Sequence, residues 1–165
     1  YKTGTVKIQD TITGGSAQVL ADAAVSDGKF SYDWKPSAGN HTLSAQWAGA
    51  KGETRSASSN SVPVLVESIP VTLTISLSQY NITLGQNVTI SMELSKKLSN
   101  GTLTAEYSLN NKTWSKLDPV EPKNGTAEAS WHPVTAGTYY VKATYSGSGN
   151  YGPATSEILV LYVKT

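Results

Sequence analysis

Two stretches of the chain carry almost the same alternation of apolar and polar residues. Residues 38–49 read AGNHTLSAQWAG and residues 136–147 read AGTYYVKATYSG. After an Ala-Gly opening, His41, Leu43, Ala45 and Trp47 alternate with polar residues in the first. Tyr139, Val141, Ala143 and Tyr145 hold the same places in the second, and both lines close on glycine, Gly49 and Gly147. A period of two bounded by turn residues predicts a strand with one buried face. Similar runs recur over 71–77, 87–94, 102–109, 126–131, 138–145 and 156–163, with a short edge strand expected over 114–117. The turns Leu84-Gly85-Gln86, Asn100-Gly101 and Asn124-Gly125 separate them. Asn-Gly suits tight hairpins because both central residues need positive φ. No segment carries a helical period. Pro36, Pro70, Pro119, Pro122, Pro133 and Pro153 fall at run edges, where a missing N–H costs little, whereas Pro63 lies inside a run and marks an edge strand. Some seven short strands with a turn roughly every 8–12 residues predict an antiparallel two-sheet sandwich.

The repetition extends beyond those two lines. Gly4-Thr5-Val6 matches Gly101-Thr102-Leu103, Asp27-Gly28-Lys29 matches Asn124-Gly125-Thr126, and Trp34-Lys35-Pro36 matches Trp131-His132-Pro133, all 97 residues apart. Several matches at one spacing predict a duplicated unit of about the size of one sandwich domain. The expected organisation is an incomplete sandwich over residues 1–67, holding later strands only, and a complete one over 68–165. The first two strands of the first copy would precede Tyr1. They are expected either upstream in the polypeptide or from another subunit by strand addition. The joint Val66-Glu67-Ser68-Ile69-Pro70 has a proline and no glycine, which predicts limited swing.

Composition narrows the functional classes. Charged residues make up 15% of the chain against a usual share of about 25%, and the net charge is +1. With no Lys/Arg cluster, nucleic acid is not an expected partner. Such low charge also predicts indifference to pH and salt. Cysteine is absent, which removes disulfides, thiolate metal ligands and thiol nucleophiles. No apolar run approaches the ~18 residues of a membrane span. The chain opens on Tyr1 rather than Met and reads as processed or cut from a longer polypeptide.

Gly137-Thr138-Tyr139-Tyr140-Val141 resembles the corner of immunoglobulin-like domains at which an inward tyrosine bonds back across the turn. Tyr139 stands at that tyrosine position, and His41 replaces it in the first copy. The line running from Ala143 through Gly147 to Tyr151, and the opening from Val71 through Gly85-Gln86-Asn87 to Ile90, look like bacterial and archaeal Ig-like domains. The resemblance implies an all-β fold of two tandem Ig-like sandwiches, the first without its first two strands. It also implies a setting in tandem arrays of surface-layer proteins, adhesins and secreted enzymes.

Candidate chemistry is sparse. The only histidines are His41, read as a core residue, and His132, read as a strand-end corner. Asp22, Asp27 and Asp33 lack the dense spacing of a calcium loop, although Glu67 at the joint is a conceivable calcium ligand. The stretch Ser146-Gly147-Ser148-Gly149-Asn150 lacks the lysine and helix of a phosphate loop. No catalytic residue, cofactor-binding residue or metal ligand is assigned, and enzymatic activity is not expected. One pattern stands out: Asn40, Asn81, Asn87, Asn100, Asn111 and Asn124 each open an Asn-X-Thr sequon, six of the nine asparagines. These predict N-linked glycans and an extracellular location. Tyr140, Trp114 and Tyr151 are read as packing residues, with sugar stacking as the rival. The expected function is a non-enzymatic building block of a surface layer, filament or adhesin stalk, whose partners are other domains or subunits of the same surface protein. A carbohydrate-binding module and an accessory domain of a secreted hydrolase are the alternatives.

Overall fold

The computed structural model describes residues 3–50 and 55–165. Among them are fourteen strands and no helix. The chain divides into two compact units, Tyr1–Ser68 and Ile69–Thr165.

In unit 1, β1 (Thr5–Ile12), β2 (Gln18–Ala24), β3 (Gly39–Trp47), β4 (Ala57–Ser58) and β5 (Val62–Val66) form one sheet. β1 lies between β2 and β3, and both β4 and β5 pair with β3. Pro63 sits in β5 opposite Thr42, on a strand whose sheet neighbour is β3 alone among the described residues. Residues 30–37 belong to no strand.

Unit 2 has two sheets. β6 (Leu73–Leu77), β8 (Val88–Leu94) and β11 (Thr126–Trp131) form a three-stranded antiparallel sheet in the order β11-β8-β6. β7 (Asn81–Thr83), β9 (Leu103–Ser108), β10 (Ser115–Lys116), β12 (Gly137–Tyr145), β13 (Ala154–Thr155) and β14 (Leu159–Lys164) form the six-stranded sheet. Between the sheets lies a core in which Val88, Ile90 and Met92 of β8 meet Leu103, Val141, Ala143 and Tyr145 of β9 and β12, all buried. Each fully buried side chain of this size is worth about 1.5–3 kcal/mol in removed apolar surface, which is what makes the alternation a folding instruction.

Two details depart from the sequence expectation. The run over 71–77 and the turn at 84–86 leave out β7, which pairs in parallel with β14 through Asn81–Tyr162, Ile82–Val163 and Thr83–Lys164. Three residues are too few to display a period, and a parallel pair leaves no hairpin signal. The run expected over 156–163 is split: β13 pairs with the end of β12, and β14 begins at Leu159. Ser156 lies between them, and its hydroxyl accepts the Ala143 N–H at 2.9 Å, a donor that a ladder carbonyl would otherwise take.

The two units repeat one another pair by pair. Val6–Trp47, Ile8–Ala45 and Asp10–Leu43 recur as Leu103–Tyr145, Ala105–Ala143 and Tyr107–Val141. Likewise Gly39–Val66, His41–Val64 and Leu43–Val62 recur as Gly137–Val163, Tyr139–Leu161 and Val141–Leu159. Val6–Ala23 matches Leu103–Val120. Even the hydroxyl of Ser59 takes the Ala45 N–H as Ser156 takes that of Ala143. The shared part is one sheet. Unit 1 has no counterpart of β6 or β8 among the described residues, and its counterpart of β11, residues 29–34, forms no ladder.

Candidate functional site

The corner before β12 is built around aromatic rings. The Tyr139 hydroxyl donates to the Thr135 carbonyl at 3.0 Å and lies 2.6 Å from the Thr135 hydroxyl. Its ring meets Trp131 edge-on, with centroids 5.0 Å apart, and Tyr107 stacks on Trp131 at 4.5 Å. The alternation brings these three together: Tyr107 and Tyr139 point inward from neighbouring strands, and Trp131 closes the opposite sheet.

At the equivalent positions unit 1 carries Asp10, Trp34 and His41. The Trp34 and His41 rings again meet edge-on, with centroids 4.9 Å apart. His41 Nδ1 lies 2.7 Å from Asp10 Oδ2, and Nε2 lies 2.8 Å from the Ser37 carbonyl, which stands where the Thr135 carbonyl stands in unit 2. A carboxylate and a carbonyl only accept, so the ring makes both bonds as donor when doubly protonated. The Asp10 hydrogen bond, the Ser37 carbonyl and the Asp10 charge together raise the His41 pKa above its ordinary 6.5, against the opposing effect of burial. His41 is only 2% exposed. An Asp–His pair is the scaffold of a hydrolytic triad, but here Nε2 faces a carbonyl instead of a nucleophilic hydroxyl. The arrangement replaces the tyrosine corner with an Asp–His corner. Asp10 Oδ1 is buried and has no hydrogen-bond partner among the described residues.

The sequence reading placed His41 in the core without finding Asp10. The signal was available, since Asp10 falls on the tyrosine position 97 residues before Tyr107, beside the only other polar exchange on that face. His132 is exposed, with Nδ1 2.9 Å from Asn87 Oδ1. Asp22, Asp27, Asp33 and Glu67 are exposed. Among the described residues no three His, Asp or Glu side chains group closely enough to hold a metal ion.

The six sequon asparagines are all exposed. Asn111 and Asn124 occupy turns with φ of 53° each, and Asn100 and Asn87 lie in the turns before β9 and β8. Asn81 starts β7 at the edge of the six-stranded sheet, and Asn40 lies in β3. By the strand register, Asn81, Asn87 and Asn111 stand toward the end of unit 2 where β12 begins, and Asn100 and Asn124 toward the other.

Of the aromatic candidates, Trp114 is covered by Lys142, whose Nζ lies 4.1 Å from the ring centroid. Lys142 also reaches Glu106 at 3.5 Å, a buried carboxylate that the sequence reading did not single out. Tyr151 packs half-buried against the core, and Tyr140 is half-buried.

No curated protein matches the sequence. Among solved structures, the CARDB domain of a Pyrococcus furiosus protein, determined in complex with di-metal ions, is 14% identical. The match covers 57% of this chain and 92% of that chain with a TM-score of 0.33, a likeness too weak to argue from. No helix among the described residues is long and apolar enough to cross a membrane. The profile of the bacterial Ig-like domain (group 3) family matches residues 73–164, which span β6 to β14 and more than half of the chain; the protein belongs to that family.

Proposed function

We propose that the protein is a non-enzymatic building block of an extracellular surface assembly, such as a surface layer, a filament or an adhesin stalk, and that it is N-glycosylated. Domains of this family are structural modules of surface proteins, and the sequence spends its information on a duplicated sheet instead of a reactive cleft. The observation that carries the reading is the exposure of Asn40, Asn81, Asn87, Asn100, Asn111 and Asn124, each followed two residues on by threonine. Glycans at these points would shield turns and the β7 edge from proteases and from edge-to-edge association. The partners are other domains or subunits of the same surface protein, with unit 1 completed by strands from upstream in the polypeptide or by strand addition from another subunit. Glycopeptide mass spectrometry of protein taken from its native surface should find hexose-containing modifications on several of the six; unmodified asparagine at all six removes the glycan part of the reading. Imaging of the native cell surface tests the assembly itself, which should appear as an ordered array or fibre containing this chain.

A further inference from the structure

Two of the six sequons lie inside strands, and each of their asparagines faces an exposed apolar side chain. Asn40 of β3 is paired with Leu65 of β5, and Asn81 of β7 is paired with Tyr162 of β14. Residues paired in this way stand on the same face of a sheet. The next pairs along, His41–Val64 and Ile82–Val163, hold the buried side chains of His41, Ile82 and Val163, so both asparagine pairs point outward. Leu65 is 66% exposed and Tyr162 49%. These two residues occupy one position of the repeat, 97 residues apart, yet the asparagine reaches it from opposite neighbours. In unit 2 the place of Asn40 is taken by Thr138, which pairs with Tyr162 from its other side. A single exposed leucine is ordinary. The same position facing a sequon from two different strands is a pattern. Asn87, Asn100, Asn111 and Asn124 lie outside the strands.

We infer that the glycans on Asn40 and Asn81 lie back along their sheets, the first sugar ring of each resting on Leu65 or Tyr162, while those on the four turns project into solvent. The inference rests on the N-glycosylation reading above and gives the two strand sites a contact. Adjacent strands are about 4.8 Å apart, within reach of an asparagine side chain carrying one pyranose ring. A pyranose has an apolar C–H face bordered by hydroxyls, and both seats match it. Tyr162 has Thr138 on the next strand and Thr83 two residues along β7 from Asn81, and Leu65 has Thr42 two residues along β3 from Asn40. The C–H face covers the leucine or stacks on the electron-rich face of the tyrosine ring, and the sugar hydroxyls meet water and the threonines. Both seats also lie at a sheet edge, at β5 in unit 1 and β7 in unit 2, where a bound sugar hinders lateral pairing with another strand.

Radical footprinting tests this on chain dissociated from its native surface, beside recombinant chain made in a host without the glycan transferase. Leu65 and Tyr162 should be oxidised several-fold more slowly in the native chain. Val19, 53% exposed opposite Gln9, should be oxidised at the same rate in both. Asn81→Gln made in the native host should release Tyr162 and leave Leu65 protected, and Asn40→Gln should do the reverse. Equal oxidation of Leu65 and Tyr162 in the two chains overturns the inference. So does protection that survives the matching change of asparagine, or that extends equally to Val19. Glycopeptide mass spectrometry of the same samples separates the two readings. Bare asparagine at all six sites removes the glycosylation reading, and bare Asn40 and Asn81 alone remove the strand seats. Glycans on both with unchanged oxidation defeat only the packing.

Discussion

His41 stands where its counterpart is a tyrosine, and the exchange changes what holds the corner. The Tyr139 hydroxyl needs one carbonyl, whereas the His41 ring needs a proton on each nitrogen to satisfy Asp10 and Ser37 together. Its folded pKa is raised above the unfolded value, chiefly by the Asp10 hydrogen bond. The stabilisation is therefore fully present below the unfolded pKa near 6.5 and is lost as pH rises through the folded pKa. Unit 1 should loosen between neutral and alkaline pH, measured as faster amide exchange along β3, and His41→Phe should flatten that response. A His41 ring that titrates below 6.5 by NMR would contradict the assignment. The low charge of the chain predicts indifference to pH, and this buried pair is the exception. In unit 2, Tyr139→Phe removes the bond to Thr135 and should cost about 1 kcal/mol in thermal unfolding. The exposed Tyr162→Phe serves as the reference, and an equal effect would argue against the corner.

At the scale of elements, the same sheet is worth different amounts in the two units. Leu161 on β14 is fully buried, so Leu161→Ala should cost about 2–5 kcal/mol. Leu43→Ala on the open face of β3 should cost distinctly less in the isolated chain, because solvent already reaches part of that side chain; denaturant titration of each variant compares them. Gly101 precedes β9 with φ of +81°, and a Cβ there would lie 2.7 Å from the Tyr145 ring and 2.8 Å from the Gly147 carbonyl. Gly101→Ala should therefore destabilise unit 2 by roughly 1–3 kcal/mol, the cost of a strained backbone position with a clash added. The long strands were legible because alternate burial imposes a period: β8, β9, β11 and β12 lie within a residue or two of the runs expected for them. β7 was not legible, since its three residues are held by the backbone of β14 and their side chains need follow no pattern. Residues 30–34 show the converse. Phe30, Tyr32 and Trp34 alternate as a strand should, but with no ladder partner the pattern alone does not make one.

For the whole molecule, the sequence revealed the duplication and the family resemblance, because both are written as repeated spacings. It left the buried pair of Asp10 and His41 unread, since those residues lie 31 apart in sequence and meet only through the pairing of β1 with β3. If the sequons are occupied, enzymatic removal of N-glycans from native protein should speed proteolysis several-fold at loops such as those carrying Asn100 and Asn111, with little change in thermal midpoint. A uniform fall in the midpoint instead would assign the glycans a part in folding. The parallel pairing of β7 with β14 has a mechanical consequence. β7 lies near the beginning of unit 2 and β14 near its end, so tension on those two termini drags the strands past each other lengthwise. The ladder that pairs Asn81, Ile82 and Thr83 with Tyr162, Val163 and Lys164 then takes the pull together instead of opening one bond at a time, with the Tyr162 N–H to Tyr80 carbonyl bond at 2.9 Å at one end and the Leu84 N–H to Lys164 carbonyl bond at 2.7 Å at the other. An antiparallel pair tugged the same way would unzip. These residues resist the pull as a block, and Leu84→Pro, at a side chain outside the core, removes the N–H that bonds the Lys164 carbonyl and should lower the unfolding force in single-molecule extension.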